Sequence, residues 1–167
     1  TAGFDSAGAP RLNPDGERAL RLALGSLEKH SPNDHARRGI VLVELGDYFL
    51  CGGSAKAMDA YKAAWQQLSL AGDTSLISTP RQIFIRHPVA SVARFRGGDP
   101  EQYDEHLVKV QFTVTKDGKI TDVAAIDSPL VDSLERSVEA AVRKSRYAPR
   151  IENGEPVDTQ GVTFVER

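Results

Sequence analysis

The 167 residues include one cysteine, one methionine and one tryptophan. A lone Cys51 leaves nothing to form an internal disulfide and rules out a cysteine-rich metal site. Long apolar runs are missing too: no stretch reaches the ~18 residues of a membrane-spanning helix. Neither sign of charge dominates, with 21 Lys+Arg against 23 Asp+Glu and a formal net charge of −2. Without a basic excess or a Lys/Arg-rich run, nucleic-acid binding is not expected. Low-complexity and collagen-like repeats are absent. What remains is a globular composition, 40% hydrophobic, long enough to bury a core in one or two domains. The chain starts at Thr1 without a methionine, which reads as a trimmed or mature product.

Residues 1–12 are rich in Gly, Ala and Pro and lack any period, so they read as a flexible tail. Helical signals follow over 13–71. Asn13 can cap a first helix, Pro14 suits its first turn, and Leu20, Ala23, Leu24 and Leu27 make one stripe. Asn33 or Asp34 opens a second helix with an apolar face of Ile40, Val41, Leu42, Leu45, Phe49 and Leu50, stopped by Gly52-Gly53. Ser54 can cap a third, whose stripe is Ala57, Tyr61, Ala64, Trp65 and Leu68. So short a turn predicts an antiparallel helical hairpin.

Residues 72–80 (GDTSLISTP) read as a linker to a second domain, 81–167. Ile83 and Ile85 alternate in a short candidate strand, and 96–105 is a polar loop. The clearest local signal is Val108, Val110, Phe112 and Val114 alternating with Lys109, Gln111, Thr113 and Thr115, a half-buried strand. Asp117-Gly118 predicts a two-residue hairpin turn with both residues at positive φ. In the return strand, Ile120–Ile126, the apolar phase slips, predicting a β-bulge near Thr121-Asp122. A helix is expected over 131–146, with Leu134, Val138, Ala141 and Val142 on one face, then a turn at Asn153-Gly154 and a last strand around Val162–Val165. The expected fold class is α+β: a helical hairpin, then a three-stranded antiparallel sheet in β-β-α-β order with the helix packed on one face.

The run VKVQFTVTKDGKI (108–120), VAAIDSP (123–129), LERSVEAAVRKSRYAP (134–149), NGEPV (153–157) and GVTFV (161–165) resembles the C-terminal domain of TonB-type energy transducers. The Tyr-Pro segment usual before that family's first strand is replaced here by residues 81–106, and no anchoring helix or Pro-rich spacer is present in the sequence. Leu42, Leu45-Gly46, Phe49, Ala57, Tyr61 and Ala64 resemble a tetratricopeptide (TPR) repeat, whose small residues sit at close helix crossings.

Candidates for chemistry are few. His30, His35, His87 and His106 are scattered without metal-ligand spacing and read as surface or capping groups. Asp104-Glu105 and Asp132/Glu135 have no nucleophile or second acid placed with them; the latter pair suits a helix N-terminus. Cys51 reads as a small core residue. Gly97-Gly98 lacks the Lys-Ser/Thr of a phosphate loop. Arg143, Lys144 and Arg146 suit a helix C-terminus, or could touch an acidic partner or lipid headgroups. No catalytic residue, metal site, cofactor, small-molecule substrate or enzyme activity is expected.

The TonB resemblance implies that a partner's extended peptide is taken up at the last strand, which puts the expected partner site at Gln160, Gly161, Val162, Thr163, Phe164 and Val165. The same edge could be covered by a homodimer mate. The implied partner is an outer-membrane TonB-dependent transporter or another envelope protein. The implied location is the periplasm, with inner-membrane anchoring through a preceding segment if one exists. The other reading is a non-transducing envelope scaffold that recruits a protein through its TPR-like helices.

Overall fold

The computed structural model describes residues 12–84, 108–127 and 132–166. Its elements are α1 (Pro14–His30), α2 (His35–Cys51), α3 (Lys56–Ala71), β1 (Arg81–Phe84), β2 (Val108–Val114), β3 (Ile120–Asp127), α4 (Asp132–Arg143), β4 (Arg146–Ala148), β5 (Arg150–Glu152), β6 (Glu155–Val157) and β7 (Thr159–Glu166). The chain is thus a mixed helix and sheet protein with antiparallel sheets.

The helices start where their capping residues stand. Asn13 accepts from the Asp15 N–H at 3.0 Å, and Asp34 from the Arg37 N–H at 3.0 Å. Asp15 and Glu17 occupy the first turn of α1 and Lys29 and His30 the last, matching the helix dipole at both ends. Helices α2 and α3 pack against each other and cross closely. A Cβ on Gly46 would lie 2.5 Å from the buried Tyr61 ring, and one on Gly39 would lie 2.6 Å from Leu68. Glycine is therefore needed at both crossings for lack of space rather than for backbone freedom.

Strand β2 is central in a three-stranded sheet of order β3-β2-β7. Its inward residues Val108, Val110, Phe112 and Val114 are buried, and α4 covers them with Val138 and Val142. The bulge expected near Thr121-Asp122 is present. Gln111 pairs with Ala124 but Thr113 with Thr121, and Asp122 takes φ +52.

Several expectations are corrected. The turn at Asp117-Gly118 is a three-residue loop in which only Gly118 has positive φ (+72). The Gly118 N–H donates to Thr115 O at 2.8 Å and the Thr115 N–H to Lys119 O at 2.9 Å, a turn followed by a glycine bulge. The Lys116 N–H also donates to Asp158 Oδ1 at 2.6 Å, holding this wider turn. The two-residue turn with both φ values positive occurs instead at Asn153-Gly154, between β5 and β6. The helix expected over 131–146 ends at Arg143, and Arg146 belongs to β4. The expected β-β-α-β order is interrupted, because β4, β5 and β6 lie between α4 and the last strand. Leu134, Ile85, residues 1–11 and the polar loop 96–105 lie outside the described side chains or residues.

The short extra strands join the two halves of the chain. Strand β4 pairs with β1, while Ala148 and Ile151 are buried in the same core as Leu45, Phe49, Tyr61 and Leu68. Ile77, in the stretch read as a linker, is buried in that core as well. At the seam, Asp47 of α2 accepts from the Tyr61 hydroxyl at 2.7 Å and, through Oδ2, from the Arg81 guanidinium at 2.6 Å. Burial and the Asp47 charge push the Tyr61 phenol well above its ordinary pKa, so it stays a donor.

Cys51 is half-buried beside this seam. Burial, reinforced by Asp47, pushes its thiol pKa up; Arg146 opposes the shift without reversing it. Less thiolate means slower alkylation. Iodoacetamide at pH 8 should therefore modify Cys51 more slowly in the native protein than in denaturant. Equal rates, followed by mass spectrometry, would show the thiol to be open.

Candidate partner-binding edge

Strand β7 forms one side of the sheet. Val108 pairs with Glu166, Lys109 with Val165, Val110 with Phe164, Gln111 with Thr163 and Phe112 with Val162. Among the described residues, no strand pairs with the opposite edge of β7. Its side chains alternate. Val162 and Phe164 pack against the core beneath α4, while Thr163 is exposed.

The register breaks between Phe112 and Val114, whose partners are Val162 and Thr159. Three residues of β7 there span two of β2, and Gly161 takes φ +73. That is a glycine bulge, and it divides the predicted site. Gln160 and Gly161 belong to the bulged half; Val162, Thr163, Phe164 and Val165 form the regular half. The available signal was a glycine inside an otherwise apolar alternating run.

The other edge of the sheet, β3, carries two register irregularities along its pairing with β2. Bulged edges resist further pairing. The regular stretch of β7 is therefore the better template for an added strand.

The remaining candidates do not assemble into a site. The His35 ring nitrogen Nδ1 lies 3.0 Å from Gln67 Oε1, and His30 is exposed at the end of α1. No group of His, Cys, Asp and Glu able to hold a metal occurs among the described residues. His87, His106, Asp104-Glu105 and Gly97-Gly98 lie outside those residues. Glu135 is half-buried on α4, with Asp132 in its first turn. The basic trio separates. Arg143 donates to Val123 O at 2.9 Å and to Glu139 at 3.2 Å, tying α4 to β3, whereas Arg146 lies on β4 and Lys144 is exposed.

Residues 105–165, which include the whole β3-β2-β7 sheet apart from the last residue of β7, match the family described as Gram-negative bacterial TonB protein C-terminal. This stretch is a TonB C-terminal-type domain. Protein TonB of Pseudomonas aeruginosa is 39% identical over 56 residues, 34% of this chain. The matched part spans only 16% of that protein's length. The solution NMR structure of the Pseudomonas aeruginosa TonB CTD is 32% identical, covering 54% of this chain and 87% of that one, with a TM-score of 0.39. The TonB-type stretch begins after β1, so α1, α2, α3 and β1 precede it, while α4 lies within it. No helix among the described residues is long and apolar enough to cross a membrane.

Proposed function

We propose that this chain is a non-enzymatic, periplasmic protein-binding module that takes up an extended segment of an envelope partner beside β7. The observation that carries the reading is the regular outer edge of β7, to which no strand among the described residues is added, at the end of a TonB C-terminal-type stretch. An incoming strand would hydrogen-bond to the outward-facing backbone groups of that edge, each bond contributing about 0.5–1.5 kcal/mol net. Residues on its core-facing side would extend the apolar layer of Val162 and Phe164, which favours a segment with apolar groups at alternate positions. The partner class is an outer-membrane TonB-dependent transporter. With an anchor elsewhere in the full protein, the same grip would transmit inner-membrane energy to transport.

A second reading, an envelope scaffold, draws support from α2 and α3. Their crossing uses Gly46 against Tyr61 and Gly39 against Leu68, the small-against-large packing that the TPR resemblance implies. In that reading the helices recruit the partner and no energy is coupled. A homodimer sealed along β7 is a third outcome that the same experiment detects.

The test uses the alternation of N–H directions along a strand. Val162 and Thr163 are neighbours, so one N–H faces β2 and the other the outer edge. Of V162P and T163P, one should lower the melting temperature markedly. The other should melt almost like the parent yet lose partner capture. Capture is read by photo-cross-linking from position 165 in intact envelopes, with mass spectrometry of the product. Capture of a transporter segment, lost in the stable proline variant, is the expected result. Unchanged capture in that variant defeats strand addition here, and capture of only a second copy replaces it with a dimer.

A further inference from the structure

The turn between α2 and α3 and the tip of the β2–β3 hairpin leave a cleft of about 300 Å³ between them. Leu50 and Met58 supply apolar lining, and Asp117, Lys119 and Arg146 supply charge. The hairpin side of the cleft is firmly seated. A Cβ on Gly118 would lie 2.8 Å from the Tyr147 carbonyl oxygen and 2.9 Å from a Leu50 methyl, at a φ of +72 that already favours glycine. The hairpin tip thus packs on the helices at Gly118, while the cleft stays open beside it.

Among the described residues, neither cation of the cleft is paired with a carboxylate: Lys119 has no ion pair there, and the Arg146 guanidinium donates to the Ser145 carbonyl oxygen at 3.1 Å. Asp117 leaves the lining with one net positive charge. The volume lies at the lower end of the range for ligand pockets, suited to one residue or a short acyl chain. A folded partner could not enter it.

We infer that this cleft binds an amphipathic carboxylate, with a short aliphatic body against Leu50 and Met58 and its anionic end at Lys119 and Arg146. The carboxylate could be that of a free aliphatic acid or the C-terminus of a peptide ending in an aliphatic residue. The cleft and its ligand rest neither on the edge of β7 nor on the family match.

The whole chain, labelled with ¹⁵N, is titrated with octanoate, with 1-octanol, and with Gly-Gly-Leu carrying a free or an amidated C-terminus. The expected result is amide shifts centred on Gly53, Met58 and Gly118. The carboxylates should bind about tenfold tighter than their neutral counterparts, the scale of one charge-assisted hydrogen bond. The tighter of octanoate and the free peptide identifies the source. K119Q and R146Q should each weaken binding by about 3–10-fold, and D117N should tighten it by removing a like charge. Lys119 and Asp117 are exposed, so these two variants test the charge pattern even if R146Q proves unstable. Equal affinity for octanol and octanoate, no effect of K119Q and D117N, or no shifts around the cleft at millimolar ligand would each overturn the proposal.

Discussion

Phe112→Ala should lower the unfolding free energy by about 3–5 kcal/mol, the cost of emptying a buried aromatic site that cannot collapse. Phe112 is 1% exposed at the centre of β2. Val110, Val114, Val138 and Val142 belong to the same buried cluster. Its ring meets Tyr147 edge to face, with centroids 5.1 Å apart and planes at 69°. Such a pair adds about 0.5–1.5 kcal/mol beyond area burial. Tyr147 is buried as well, and burial pushes its phenol up to about 12. Because Tyr147 lies on β4, the loss should extend beyond the sheet to the β1–β4 ribbon. Urea unfolding with an unchanged slope is the measurement. A cost under about 1 kcal/mol would mean that the ring does not stand on the core face.

Asp47→Ala should be the next most damaging change, at about 2–3 kcal/mol. It strands two groups at once. The Arg81 guanidinium loses its ion pair and the Tyr61 hydroxyl loses its acceptor. Breaking a fully buried pair costs about 3–5 kcal/mol. Asp47 and Arg81 keep 19% and 32% exposure, so water recovers part of that loss. Asp47→Asn retains an acceptor and removes the charge, and should fall between the parent and alanine. In a cycle with Arg81→Met, the two single losses should sum to more than the double loss by about 1 kcal/mol. Strict additivity would show that Asp47 and Arg81 do not communicate across the seam between helices and β1.

Where the cause of a structure lies within a few residues, the sequence was legible. Asn13 and Asp34 cap their helices because their side chains reach N–H groups two or three positions on. The alternation from Val108 to Val114 can bury only one face, so it specifies both the strand and its inward side. The phase slip before Val123 required an extra residue, and Asp122 supplies it. The order of motifs from 108 to 165 was likewise readable, and the family match falls on that same stretch.

What depended on distant residues was not readable. Asp117-Gly118 resembles a two-residue turn, but an N–H two residues past Val114 is claimed by Asp158, and the loop widens. Basic residues adjacent in sequence are carried to different places, because Lys144 and Ser145 turn the chain out of α4 and into β4. Nothing local in Arg81 shows that it pairs with Asp47, 34 positions earlier. Nor does Arg146 reveal that it will line a cleft with Met58 and Lys119. Caps, alternation and bulges are short-range steric and hydrogen-bonding events, so the residue order alone decided them. The placing of β7 at the side of its sheet, the seam and its cleft required the long-range pairing of β2 with β7 and of β1 with β4, because only chain closure brings those groups within hydrogen-bonding distance.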